Sequence, residues 1–205
     1  MATANSNIIT IPEIKYQTIL VPIVGSTSLI MHAWSVKAKR IMLEREQGKK
    51  RAKEVRDPQA EYEASMYRTA DGGYGFPASG FKKAMVRAGQ QSGMKMTEVR
   101  QMVFVYGDPS ADGDEDLVPI LGEPRMREDM VRVSMSTDLR YRAEFPQWRA
   151  LLKVKFSLSS VSADSVMALI ANAGQTVGVG EWRPERSGQH GMFEVDSSKE
   201  VQVLG

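Results

Sequence analysis

The sequence predicts an α+β domain whose core follows the element order βαββαβ. Some segments alternate apolar and polar residues, as strands do, and others have apolar residues at helical spacing. The two kinds of segment follow one another along the chain. The chain has 205 residues, of which 42% are hydrophobic and 25% charged, close to the averages of globular proteins. This length suits one large domain with insertions, so we expect a single domain over residues 1–205.

The first predicted strand spans residues 14–24, which are rich in β-branched and apolar side chains. Their nearly continuous apolar character predicts burial on both faces, and Pro22 predicts an end or a bulge. The first core helix is predicted over residues 80–88, with Ser79 as its N-cap. Four apolar residues share one face of this helix: Phe81, Ala84, Met85 and Ala88.

Further strands are predicted at residues 101–106, 117–121, 130–135 and 151–158. A second helix is predicted to begin at Ser162 or Asp164 and to stop at Gly174. A glycine-bearing loop over residues 176–191 then leads to a last strand at residues 192–195. Without its insertions this order is βαββαβ, the pattern of ferredoxin-like folds and of the RNA-recognition-motif-like (RRM-like) fold.

Residues 33–66 form a first predicted insertion, helical and basic. Its poor apolar spacing predicts a projecting arm, with a short helix beginning at Pro58. Seven of its cations are candidate contacts to a polyanion: Lys37, Lys39, Arg40, Arg45, Lys49, Lys50 and Arg51.

Residues 108–142 form a second predicted insertion, an acidic loop followed by a hairpin. The hairpin mixes arginines with methionines: Arg125, Arg127, Arg132, Arg140 and Arg142 flank Met126, Met130 and Met135. Such a hairpin can hold phosphates and separate bases. The alternative is an ordinary exposed hairpin whose basic face is solvated.

The composition excludes several kinds of site. There is no cysteine, which removes disulfides, thiolate metal sites and a cysteine nucleophile. With only His32 and His190, a zinc or iron site is not expected, and we predict no cofactor. The polar first residues and the short apolar runs predict neither a signal peptide nor a membrane span. We therefore expect a cytoplasmic location and no membrane partner.

The segment of residues 178–195 is the first candidate site. Gly178 and Gly180 permit close approach of the backbone to a phosphate chain, and Trp182 can stack on a base. Three further side chains of the segment can contact phosphates or bases: Arg183, Arg186 and His190. The alternative is a connection that needs glycine only for its backbone angles. The spacing matches neither a Walker loop nor a dinucleotide fingerprint.

The segment of residues 76–87 is the second candidate site. The start of a helix presents unpaired N–H groups to an anion, and Ser79 lies there. Three cations follow on the same helix: Lys82, Lys83 and Arg87. Taken alone, this segment is better explained as an ordinary amphipathic helix with a solvated basic face.

Together, these two segments resemble the RAMP superfamily of CRISPR-associated proteins, in its crRNA-binding backbone-subunit branch. That branch introduces an early helix with a phrase like Pro-(Ala/Gly)-Ser-Ser-Leu-Lys-Gly-Ala-Leu-Arg; residues 76–87 read FPASGFKKAMVR. Its C-terminal loop, Ile-Gly-Gly-x-x-x-x-Gly-x-Gly, runs into a Phe/Val-Glu-Val strand. Here VGVGEWR at residues 177–183 is followed by Gly188, Gly191 and FEV at residues 193–195.

The resemblance implies an RRM-like core that carries single-stranded RNA and stacks head to tail with copies of itself into a filament. It also implies other CRISPR effector subunits as partners. It further implies that the basic arm and the hairpin are candidate projections that contact the RNA. Glu181 and Glu185 would repel phosphates unless they face away from them. A phage-encoded or solitary relative, which binds single-stranded DNA or interferes with a CRISPR complex, is the alternative.

Some RAMP proteins cut RNA, so a metal-independent endoribonuclease is a further alternative. A histidine after the first strand, such as His32, would be the candidate general base. Neither His32 nor the loop aspartates Asp57 and Asp71 belong to a matched phrase. We therefore predict no catalytic residue and a binding protein rather than an enzyme.

Overall fold

The computed structural model describes residues 13–33, 43–44, 46–48, 55–133 and 136–204, and within them antiparallel strands combine with helices. Four α-helices lie in the described part: α1 (Pro58–Ala64), α2 (Ala78–Gln91), α3 (Met96–Met102) and α4 (Ala163–Asn172). A π-helical turn (Ala173–Val177) continues α4, and a 3-10 turn (Pro184–Arg186) lies in the glycine-bearing loop. The α+β prediction is confirmed.

The same residues contain twelve strands, which form two sheets. In chain order they are β1 (Tyr16–Gly25), β2 (Leu29–Ile30), β3 (Tyr67–Arg68), β4 (Tyr74–Pro77), β5 (Val103–Tyr106), β6 (Asp108–Pro109), β7 (Asp116–Leu121), β8 (Arg125–Val133), β9 (Ser136–Phe145), β10 (Arg149–Ser157), β11 (Phe193–Val195) and β12 (Gln202–Val203). Strands β2, β9 and β8 form the smaller sheet, and the other nine form the larger one.

The centre of the larger sheet has the strand order β11–β1–β10–β5, with every pair antiparallel. The chain passes through α2 before it reaches β5, and through α4 between β10 and β11. Both helices bury their apolar sides against the same face, since the Phe81 ring of α2 lies 5.7 Å from Phe193 of β11. The buried residues predicted for α2, and Val166, Leu169 and Ile170 of α4, lie in this core.

Strand β1 is fully buried on one face and partly buried on the other, so the prediction of two-sided burial is correct only in part. Ile19, Val21 and Ile23 face the helices, whereas Tyr16 is 40% exposed on the other side. On that second side Pro22 is buried and Leu20 is half-buried.

Pro22 does not end β1, which continues in regular register to Gly25. The edge of β1 opposite β10 pairs with β12 at Ile19 and Leu20 and with β11 from Ile23 onward. The carbonyl of Pro22 accepts a hydrogen bond on that edge from the Asp196 N–H. The missing N–H of Pro22 therefore falls in the gap between two partner strands, where it removes no ladder bond.

Two predicted helix ends differ from the structure. Helix α2 begins at Ala78, directly after β4, and its N-cap is Pro77 rather than Ser79. At the other end of the fold, Gly174 does not stop α4, because the π-helical turn continues to Val177. Gly174 is needed instead for packing, since a Cβ there would collide with the carbonyl of Phe193.

The two predicted insertions are partly described. The predicted helix at Pro58 is confirmed as α1, whose N-cap Asp57 accepts a hydrogen bond from the Ala60 N–H at 3.1 Å. Residues 37, 39, 40, 45 and 49–51, the candidate cations of the arm, lie outside the described residues. The predicted hairpin is confirmed as β8 and β9, which pair over their full length.

No helix in the described part of the chain is long and apolar enough to cross a membrane.

Candidate functional site

The two candidate segments, far apart in sequence, line one cleft of about 300 Å³. The start of α2 forms one wall and the turn after α4 forms another. The lining residues include His32, Tyr67, Phe76, Pro77, Ser79, Gly80, Lys83, Ala84, Glu115, Val177, Gly178, Val179, Gly180, Glu181, Arg183 and Glu185. Residues 76–87 and 178–191, which the resemblance assigns to one RNA-carrying core, therefore lie together in the fold.

Glu185 fastens the two segments to each other. Its Oε1 lies 3.0 Å from Nε of Arg87 on α2, and its Oε2 accepts hydrogen bonds from the Arg183 guanidinium at 2.7 and 3.0 Å. Arg183 also donates to the carbonyl of Gly180 at 3.0 Å. Both arginines are thus ion-paired within the chain to the single carboxylate of Glu185, which faces these cations rather than an approaching phosphate.

Glu181 and His32 meet at another part of the cleft. Nδ1 of His32 lies 3.7 Å from Oε1 of Glu181. This interaction holds the pKa of Glu181 below its usual value; burial opposes it, while the charges of Arg142 and Arg183 support it. Glu181 is therefore ionised at neutral pH and paired with groups of its own chain.

The glycines of the loop are explained by packing of the chain on itself. Gly180 has φ of +79°, and a Cβ there would lie 2.5 Å from the carbonyl oxygen of Ile30. Gly191 has φ of +67°, and its Cβ would collide with the carbonyl of Val179. Both positions need glycine without any ligand, as the alternative interpretation of this loop required.

Trp182 lies at the surface of the loop, with 39% of the residue exposed. Its φ of +56° is unusual for a residue with a side chain, and its carbonyl accepts a hydrogen bond from the His190 N–H at 3.0 Å. The Arg127 guanidinium lies 5.8 Å from the centre of its ring. The loop thus holds one aromatic face beside the β8–β9 hairpin.

The register of the β8–β9 hairpin separates its arginines from its methionines. Cross-strand pairing and two-residue alternation put seven charged residues on one face: Arg125, Arg127, Asp129, Asp138, Arg140, Arg142 and Glu144. Met126, Met130 and Leu139 occupy the opposite face, where Met130 is 73% exposed. Arg132 shares that face and is exposed. Met135 lies outside the described residues.

Glu144, whose side chain is 6% exposed, is the centre of the charged face. Its Oε2 accepts a hydrogen bond from Nε of Arg125 at 2.9 Å, and its Oε1 accepts from Arg127 at 3.3 Å and from Ser28 at 2.8 Å. Burial acts to raise the pKa of Glu144, but these hydrogen bonds and charges outweigh it and the pKa is lowered. Arg125 and Arg127 are therefore anchored by a buried carboxylate.

His190 belongs to this network rather than to an open loop. Its Nδ1 lies 2.8 Å from Oγ of Ser28, which donates to Glu144. Ser28 lies between the histidine and the carboxylate. In a Ser-His-Asp triad the histidine lies between the other two, so this arrangement does not activate Ser28 as a nucleophile. The contact joins the glycine-bearing loop to the smaller sheet.

The remaining candidate cations of the two segments lie on different surfaces of the protein. Lys83 is exposed at the cleft, and Arg186 is exposed on the 3-10 turn. Nζ of Lys82 lies 4.3 Å from the centre of the Phe104 ring on β5, and burial lowers the pKa of Lys82. Lys82 and Lys83, adjacent in sequence, therefore serve different surfaces.

Sequence analysis missed the partners of these side chains. Ser28 and Glu144 are 116 positions apart, and neither belongs to a recognisable motif. His32 was identified, but its pairing with Glu181 depends on the turn that Gly180 makes over Ile30. Only the tertiary fold brings such residues together.

Among the described residues, no group of three histidine, aspartate or glutamate side chains is arranged to hold a metal ion. No model of a known protein family matches the sequence, and no curated protein sequence matches it either.

Proposed function

We propose that this chain binds single-stranded nucleic acid, with RNA as the first candidate, without sequence preference and as a repeating subunit of a filament. One observation carries this proposal: residues 76–87 and 178–191 line the same cleft. These are the two segments that resemble the RNA-carrying branch of the RAMP superfamily.

The strand order supports an RRM-like core. The order β11–β1–β10–β5, with α2 and α4 on one face, is what an antiparallel βαββαβ unit produces. The smaller sheet and its hairpin are then an addition to that core. We propose that this hairpin is the projection that contacts the bases.

The charges determine which side chains can meet the strand. Arg87 and Arg183 are held by Glu185, so we propose that the strand follows the rim of the cleft, past Lys83, Trp182 and Arg186. Trp182 offers a ring for stacking, which does not depend on base identity. The exposed Met130 and Leu139 form an apolar wedge of the kind that enters between bases.

Fluorescence anisotropy with 5′-labelled 20-nucleotide strands of uridine and of deoxythymidine tests this proposal. We expect binding that weakens with salt, and continuous filaments in negatively stained micrographs of the protein–RNA mixture. Tighter binding of the deoxythymidine strand would favour the alternative of a phage-type single-stranded DNA-binding protein. If the purified protein binds neither strand at 50 mM salt, the proposal is wrong.

A second candidate, a metal-independent endoribonuclease, is favoured by the contact of His32 with Glu181 inside the cleft. A histidine beside a carboxylate is a possible general acid–base pair. Incubation with labelled RNA in EDTA separates the candidates. Site-specific cleavage that disappears in His32→Ala supports the enzyme, whereas intact RNA retained by the protein supports the binding function.

A further inference from the structure

The face of the larger sheet turned away from α2 and α4 combines aromatic and basic side chains in register. Across β5, β10 and β1, Tyr106 stands opposite Lys153, which stands opposite Leu20. Two residues along the strands, Phe104, Lys155 and Thr18 form the next row. We name these two rows, together with Tyr16 on β1, the outer sheet face.

The outer sheet face is partly open to solvent, since three of its seven residues are exposed and the other four are half-buried. Tyr16 and Tyr106 are each 40% exposed, and Leu151, which points the same way from β10, is 49% exposed. The intervening residues Leu152 and Val154 are buried against the helices. The same strands that build the core therefore present a second, accessible surface.

Lys153 and Lys155 on this face have no carboxylate across the strands from them. The outward positions of β1, β10 and β5 carry Arg149, Lys153 and Lys155 and no acidic residue. Arg149, at one end, shares its cross-strand row with Glu194 of β11, so the uncompensated charge is concentrated at Lys153 and Lys155. Nζ of Lys155 lies 4.8 Å from the centre of the Tyr16 ring.

Aromatic rings beside lysines without a carboxylate partner, on one face of a sheet, match the chemistry of a single nucleic-acid strand. Unstacked bases can stack on the rings. The two lysines, which lie two residues apart on β10, can bind the phosphates that link those bases. A duplex, whose bases are stacked inside, cannot use the rings. An acidic protein surface would use the lysines but gains little from two exposed tyrosines.

We infer that the outer sheet face is a second contact surface for the same single strand, with bases on Tyr16 and Tyr106 and phosphates on Lys153 and Lys155. This inference rests on the proposed function and deepens it. None of these residues belongs to the two segments around the cleft. The strand would therefore contact both the cleft rim and the sheet of one subunit.

The charge test compares two doubly neutralised variants in the anisotropy assay. Lys153→Gln with Lys155→Gln removes two proposed phosphate contacts, so affinity should fall about 25-fold at 0.1 M salt and the slope of log K against log salt by about 1.4. Lys95→Gln with Lys199→Gln removes the same net charge at exposed positions elsewhere and should leave the slope unchanged. Equal slopes for the two variants would overturn the inference.

The stacking test uses Tyr106, which is exposed enough to be changed without loss of the core. Tyr106→Ala should weaken binding roughly tenfold, and Tyr106→Phe should restore it because the ring remains. Photocrosslinking of a bromouridine-substituted 20-mer to the wild-type protein should label peptides that contain Tyr16 or Tyr106. Crosslinks confined to residues 178–191 would contradict a second surface.

The outcomes separate this inference from the proposal on which it rests. If the wild-type protein binds no single strand, both fail. If it binds, and only substitutions at the cleft rim such as Lys83→Gln weaken it, the proposed function stands and the outer sheet face has no part in it.

Discussion

The cleft and the outer sheet face differ in where the carboxylates lie. At the cleft, Glu185 pairs with both Arg87 and Arg183, and in the hairpin Glu144 anchors two further arginines. On the outer sheet face, Lys153 and Lys155 stand in rows without an acidic neighbour across the strands. A count of cations in a segment therefore says little about binding, because partners distant in sequence decide which charges are available.

The largest expected effect comes from the most buried of these carboxylates. Glu144→Ala leaves the cations of Arg125 and Arg127 beside an emptied buried site, and should lower the free energy of unfolding by about 3 kcal/mol. Guanidinium denaturation followed by circular dichroism measures this loss. Glu128→Ala, an exposed change on β8, should stay within about 0.5 kcal/mol. Equal losses in both variants would mean that the ion network is not structural.

Trp182 tests whether the rim of the cleft contacts nucleic acid. Trp182→Ala should weaken binding by roughly 1–3 kcal/mol in the anisotropy assay, because a stacking surface is lost. Trp182→Phe keeps a ring and serves as the control. A loss of stability without a loss of affinity would assign Trp182 to the packing of the loop against Arg127.

Removing one carboxylate should make the cleft resemble the outer sheet face. Glu185→Gln frees the charges of Arg87 and Arg183, so affinity should rise about fivefold for each arginine that gains a phosphate contact at 0.1 M salt. The salt dependence should steepen in the same variant. Gln59→Glu, which adds one negative charge on exposed α1, is a control of the opposite sign and should not steepen it. An unchanged slope in Glu185→Gln would mean that the arginines only hold the loop to α2.

The smallest expected effect is on the pH dependence of stability. The pKa of Glu144 is lower in the folded protein than its ordinary value of 4.5, so the unfolded chain takes up the proton first as pH falls. The contribution of Glu144 is complete above that value and is lost as pH falls through the folded pKa. Between pH 5 and 3, urea denaturation should show a steeper loss of stability for wild type than for Glu144→Gln. Parallel curves would contradict this linkage.

Local patterns predicted most of the elements. Helical spacing identified the buried faces of α2 and α4, and alternation identified β10 and the hairpin. Helix α3 was missed because it has only seven residues and buries only Val99 and Met102. The predicted helix ends at Ser79 and Gly174 were misplaced. The first helix begins directly after Pro77, and Gly174 is required by the close approach of the Phe193 carbonyl. Capping preferences predict neither feature.

Of the candidate site, the sequence determined which residue types are present and identified residues 76–87 and 178–191 as the two candidate segments, which the structure places at one cleft. Tertiary structure alone decided which charges are neutralised, which glycines the chain itself requires, and which face of β1 and β10 remains open. The physical reason is distance along the chain. Hydrophobic periodicity acts over a few residues, whereas ion pairs such as Arg87 with Glu185 form between groups that only the completed fold brings within 3.0 Å.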